Sequence, residues 1–212
     1  MVAAREVKDA VELWFESQRE ERDYLGLSEI GHPCPRYLWY AHHGYSRKAL
    51  QGRILRIFDR GNAIEDNARI DIMSVGYVVH SRQKEVKIER GDTVLIGHID
   101  GMIDDCLLEI KSSSLKEFKK LQKVGYETWK EMYKAQIHAY MTLMKATSAI
   151  AWVECKDNSE IYTEQIYPDM DYVLSLFERT FDTIEQPTPP KRKCPRNDWY
   201  EAKMCNFYEE CF

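Results

Sequence analysis

Two β-rich segments either side of Asp104-Asp105 constrain this chain more than any other feature. The first reads Thr93-Val94-Leu95-Ile96-Gly97-His98-Ile99-Asp100-Gly101-Met102-Ile103, and the second Cys106-Leu107-Leu108-Glu109-Ile110-Lys111. A two-residue turn at Asp104-Asp105 pairs Ile103 with Cys106. Counting back then sets Asp100 opposite Glu109 and His98 opposite Lys111, each pair on one face of the sheet and roughly 5 Å apart at Cβ. Facing carboxylates repel unless a cation lies between them. Lys111, one step along that face, adds a positive charge able to orient a water. The set suits phosphodiester hydrolysis by a divalent metal, and its hard oxygen donors favour Mg²⁺ or Mn²⁺. The same residues also read as a solvated hairpin with scattered charges.

Periodicity elsewhere predicts helices over 5–23, 37–43, 53–74, 115–123, 128–146 and 169–185. Strands are expected at 76–81, 84–90, 93–103, 106–112, 148–155 and 160–166. Three prolines within 187–190 end the last helix. This order gives an α/β fold with a central mixed sheet flanked by helices. A hydrophobic fraction of 44% and a charged fraction of 31% exclude a disordered or fibrous chain. The 212 residues make one domain: a helical part (1–50), a core (51–186) and a Cys-rich tail (187–212) too small for its own core.

No apolar run reaches the ~18 residues of a membrane span, and Met1-Val2-Ala3-Ala4-Arg5-Glu6 leads into charged sequence, not a signal-peptide core. A cytoplasmic location with no membrane partner is therefore expected. In that reducing setting Cys194, Cys205 and Cys211, crowded near the end, point to metal rather than disulfide. Cys106 and Cys155 fall in expected strands and read as buried thiols.

On the 53–74 helix, Ile54, Phe58, Gly61, Ala68 and Ile72 form an apolar stripe that also carries Glu65. A buried carboxylate needs a partner or a metal, and Gly61, one turn earlier, permits close approach. A Glu reaching out from the stripe's edge is the plainer alternative. On the 128–146 helix, Gln136 and Tyr140 share a face with Trp129, Tyr133 and Leu143, and one turn apart they can touch a phosphate or base together. Residues 111–134 hold seven Lys against three Glu, within a chain of net charge −5. Such a basic stretch beside a carboxylate site fits a polyanionic substrate.

Taken in order, Gly61-x-x-x-Glu65, Asp100, Glu109-Ile110-Lys111 and Gln136-x-x-x-Tyr140 resemble the PD-(D/E)XK nuclease superfamily. Within it they are similar to the RecB-type exonucleases with their Gln-x-x-x-Tyr motif. One cysteine before the core, Cys34, and three after it, Cys194, Cys205 and Cys211, look like the iron–sulfur branch. That branch includes CRISPR-associated RecB-like exonucleases, AddB-type nuclease domains and phage exonucleases. The resemblance covers roughly residues 28–212 and departs at two points. CRISPR-associated members generally carry His where this chain has Glu65. Their Cys-x2-Cys-x5-Cys spacing is kept only between Cys205 and Cys211, with Ala202 where a Cys is expected. Four thiolates can hold a [4Fe–4S] cluster or a structural Zn²⁺; the cluster is the preferred reading.

The resemblance implies a restriction-endonuclease-like core whose ends are clasped by that metal group. It implies that Glu65, Asp100, Glu109 and the Ile110 carbonyl hold one or two Mg²⁺ or Mn²⁺ ions, and that Lys111 positions the attacking water. Gln136 and Tyr140 would hold DNA, with Lys119, Lys120 and Lys123 as backbone contacts. The implied activity is a DNA exonuclease acting on single strands or ends, in recombination, repair or CRISPR adaptation. Helicase, recombination or CRISPR adaptation proteins would be its partners, in a bacterial, archaeal or phage-infected cell. The alternatives are a structure-selective endonuclease and an inactive, metal-stabilised nucleic-acid-binding module.

Overall fold

In the computed structural model, which describes residues 4–18 and 23–212, strand β5 (Cys106–Ser113) is the central element. It pairs antiparallel with β4 (Gly101–Ile103) on one side and parallel with β6 (Ser148–Cys155) on the other. β1 (Val79–His80) and β7 (Ile161–Ile166) complete a five-stranded mixed sheet in the order β1-β4-β5-β6-β7. A parallel neighbour requires a long crossover. Here α4 (Leu115–Val124), α5 (Tyr126–Trp129) and α6 (Glu131–Met144) supply it.

Side chains of β5 alternate between two apolar layers. Leu107 joins the main core with α2 (Pro35–His42), the crossover helices, α7 (Met170–Ile184) and Phe207. Leu108 and Ile110 join a smaller cluster with Ala68 and Ile72 of α3 (Gly52–Ser74). Helix α1 (Ala4–Ser17) lies against α3, and the contact is close: a Cβ at Gly52 would sit 2.2 Å from the Glu12 carbonyl oxygen. The expected helix over 5–23 thus ends at Ser17, and its portion at 19–22 lies outside the described residues. No helix among the described residues is long and apolar enough to cross a membrane.

The expected 93–103 strand is two strands in two sheets. β3 (Thr93–His98) pairs with β2 (Glu85–Arg90), which sets His98 opposite Glu85 rather than Lys111. The chain changes sheets at Ile99, whose amide and carbonyl bond to Lys84 and Gln83, and resumes at β4. The hairpin register is as expected, Ile103 with Cys106 and Gly101 with Leu108, so Asp100 is one step beyond the ladder toward Glu109.

Further expectations are corrected. The α3 stripe buries only Ala68 and Ile72; its N-terminal half borders a cleft instead of the sheet, leaving Phe58 55% exposed. Gly61 is not a close contact either, since a Cβ there would meet Ser112 Oγ at an ordinary 3.7 Å. The expected 128–146 helix begins as α5 and breaks at Lys130, whose backbone is extended. Cys155 is buried, but Cys106 is only partly so.

The tail carries two short turns, α8 (Tyr200–Lys203) and α9 (Tyr208–Cys211). Polar contacts hold it to the N-terminal part. Arg36 donates to the Pro190 carbonyl at 3.1 Å, Tyr40 to that of Glu210 at 2.8 Å, and the Lys48 amide to that of Asn206 at 2.7 Å. Phe207 is buried between them.

Candidate active site

Because Glu109 and Lys111 are two residues apart on β5, they project from the same face, Glu109 buried and Lys111 partly exposed. Glu109 is 0% exposed. Lys111 Nζ forms an ion pair with its Oε1 and lies 3.9 Å from Asp100 Oδ2. Beyond that ion pair, neither Glu109 oxygen receives an aligned hydrogen bond. Burial pushes the Glu109 carboxyl up to about 8 and outweighs the Lys111 charge beside it. Burial also opposes the charge on Lys111, but Glu109 and Asp100 overcome it and hold the ammonium well above its ordinary range.

Asp100 is buried where β4 begins, and its Oδ2 accepts the Ile110 amide at 2.7 Å. A side chain therefore replaces the ladder acceptor where the pairing stops. Glu65, from α3, is tied by Arg69, which also holds Asp66, and Gln83 Nε2 donates to Glu65 Oε1 at 3.1 Å. Burial first, then Asp100, raises the Glu65 carboxyl, against the pull of Arg69.

A cleft of about 730 Å³ opens over the end of β5, with Glu65, Ile110, Lys111 and Gln136 in its walls. Its other walls include Tyr133, from the Gln136 face, and residues the sequence reading did not single out: Ser112, Ser113, Ser114, Lys130 and Lys156. Lys130 Nζ stands 4.4 Å from the Trp129 ring centroid and 4.7 Å from that of Tyr133. The run of three serines directly after Glu-x-Lys was the available signal for part of this wall.

Tyr140 is off the cleft wall but near the carboxylates, and Glu109 and Asp100 add to the burial that raises its phenol. It is 2% exposed, and its hydroxyl rests against the backbone of Gly97 and His98, where a Cβ on Gly97 would be 2.7 Å away. Tyr140 thus braces β3 against α6 and does not reach the cleft. Lys119, Lys120 and Lys123 are exposed on α4, outside the cleft wall.

Among the described residues, no group of three or more His, Cys, Asp or Glu side chains closes on a point that could hold a metal. The donor chemistry nevertheless fits a hard divalent cation. Mg²⁺ is commonly held by one or two carboxylates with water completing its shell. Glu109, whose Oε1 is ion-paired with Lys111 and whose buried Oε2 has no hydrogen-bond partner among the described residues, forms such a pair with Asp100.

The four flanking cysteines, Cys34, Cys194, Cys205 and Cys211, line one cavity of about 490 Å³ between the start of α2 and the tail. Burial pushes the last three thiols up, and neighbouring cysteines contribute to each shift.

No family model and no curated protein sequence matches this chain. Its fold is similar to solved structures. The crystal structure of SSO0001 matches with a TM-score of 0.56 and 17% identity, over 97% of this chain and 96% of that one. An alkaline exonuclease (LHK-Exo) from Laribacter hongkongensis matches with a TM-score of 0.55 and 15% identity, over 82% of this chain and 90% of that one. The same enzyme in complex with dAMP gives a TM-score of 0.53. These likenesses establish an α/β fold with a central mixed sheet shared with an exonuclease.

Proposed function

We propose that the chain is a divalent-metal-dependent deoxyribonuclease that degrades DNA from an end or as a single strand. One observation carries the reading: Asp100 and the enclosed Glu109 share Lys111 at the wall of an open cleft. A structural role alone gives little reason to bury a carboxylate with one oxygen, Oε2, left without a partner. Likeness of fold to an alkaline exonuclease supports the substrate class.

Asp100, Glu109 and the Ile110 carbonyl would hold Mg²⁺ or Mn²⁺, with Glu65 joining when Arg69 releases it. The ion supplies polarisation of the phosphate and a lowered pKa for bound water. Lys111 orients that water and steadies the phosphate charge, as its ammonium stays protonated. Gln136 hydrogen-bonds the strand from the cleft wall, and Lys119, Lys120 and Lys123 attract the polyanion from farther out.

Cys34, Cys194, Cys205 and Cys211 would hold a [4Fe–4S] cluster that reinforces the hydrogen-bonded tail. The four thiols line one cavity of about 490 Å³, which leaves room for a cluster among them. The fitting settings are recombination, repair or CRISPR adaptation, beside a helicase or integration partner.

The test compares linear with circular single-stranded DNA in Mn²⁺. Degradation of linear DNA alone, abolished in Lys111→Ala, supports the reading. Equal cleavage of circles makes the protein an endonuclease, and no cleavage in any divalent metal removes the proposal.

A further inference from the structure

The cleft continues past Lys111 to a group of polar atoms that the catalytic set does not use. Ser113, two residues along the same face, is only 4% exposed, and its hydroxyl has no hydrogen-bond partner. A buried hydroxyl left unpaired is unfavourable, so such a group marks a place for an absent acceptor. Ser113 is one of the residues that line the cleft.

Lysines and the opening amides of α4 lie at the same end of the cleft. The Lys156 amide donates to the Ser113 carbonyl at 2.9 Å, which fixes Lys156 beside it, and Lys130 faces the same cleft. Ser114 is the N-cap of α4 but gives no side-chain cap. Of the first amides of that ten-residue helix, Leu115 donates to Asp157 Oδ2 at 2.7 Å and Phe118 to the Ser114 carbonyl. Those of Lys116 and Glu117 have no acceptor among the described residues. Two acids stand close, and both are engaged: Asp157 by the Leu115 amide, and Glu117 by Trp129 Nε1 at 3.1 Å.

The geometry points to a second phosphate subsite in which Ser113 Oγ, Lys156 and the opening amides of α4 hold the DNA phosphate next to the scissile one. This rests on the nuclease reading and adds which part of the strand the cleft grips. Two residues along a strand span about 6.6 Å, comparable with one nucleotide step from the phosphate at Lys111. An unpaired hydroxyl and helix-start amides together make an anion site.

The test is fluorescence anisotropy with a single-stranded oligonucleotide in Ca²⁺, either all-phosphodiester or with one uncharged methylphosphonate linkage moved along it. Wild-type protein loses affinity when the neutral linkage is one step from the cleavage position. Ser113→Ala binds the natural oligonucleotide about tenfold more weakly, the weight of one hydrogen bond to a charged oxygen, and no longer senses that linkage. Ser113→Thr, which keeps the hydroxyl, restores both. If Ser113→Ala keeps the full penalty, or wild type shows none at any position, the subsite is wrong. Should that wild-type protein still digest linear DNA in Mn²⁺, only the subsite fails. Should it neither bind nor cut DNA, both readings fail.

Discussion

The Ile110 amide donates to Asp100 Oδ2 across 2.7 Å, so one carboxylate both ends a strand ladder and faces the proposed metal position. The two roles separate by substitution. Asp100→Asn keeps an acceptor for the amide and removes the charge, so it should keep its melting temperature and lose Mn²⁺-dependent cleavage. Asp100→Ala leaves a buried amide unpaired and should lose, in addition, about 1–3 kcal/mol of stability in chemical denaturation. An active Asp100→Asn would show that the charge has no part in the chemistry.

Glu109 makes the metal-free protein sensitive to pH. Its carboxyl is raised from 4.5 to about 8 by burial, so between those values the folded state keeps a proton that the unfolded state has released. The stability of protein in chelator should therefore fall as pH rises from about 4.5 toward 8, by at most about 1.4 kcal/mol per pH unit. Glu65, also raised, acts in the same sense. Glu109→Gln should flatten the slope. Urea midpoints across that range, without metal, check it.

Arg69 engages Glu65 and Asp66 together and is itself buried. Its removal leaves Glu65 held by Gln83 without an ion pair, able to turn toward Asp100, and adds unbalanced negative charge. Arg69→Met, similar in bulk, should bind Mn²⁺ more tightly in calorimetry while losing about 1–2 kcal/mol of stability with the ion pairs. Unchanged affinity would mean that Glu65 has no place in the ion's shell.

Helix and strand periods carried most of the architecture, and the turn at Asp104 carried the register that brings Asp100 to Glu109. Local periodicity gave no sign that 93–103 divides between sheets. The switch rests on Ile99 bonding to Gln83 and Lys84, partners set by a different strand. Tyr140 shows the same limit. Its place on the Gln136 face was legible, but its depth depends on Gly97, forty-three residues earlier, opening room for its ring. Ser113 was hidden for another reason: a serine becomes informative only when its hydroxyl is seen to be buried and unpaired.

The tail has two independent attachments, and losing one should not release it. Arg36, Tyr40 and Lys48 bind its backbone by hydrogen bonds, and Phe207 packs into the main core. The four cysteines sit around a cavity beside these contacts, so a bound cluster would add to them. Anaerobic purification should yield a brown protein, and Cys205→Ser a colourless one that still shows native far-ultraviolet circular dichroism. That variant should melt cooperatively at a lower temperature. Phe207→Ala should cost about 3–5 kcal/mol whether or not the metal is present, because its packing does not depend on the thiolates. A cluster-free protein with no cooperative melt would show instead that the hydrogen-bonded contacts cannot hold the tail alone.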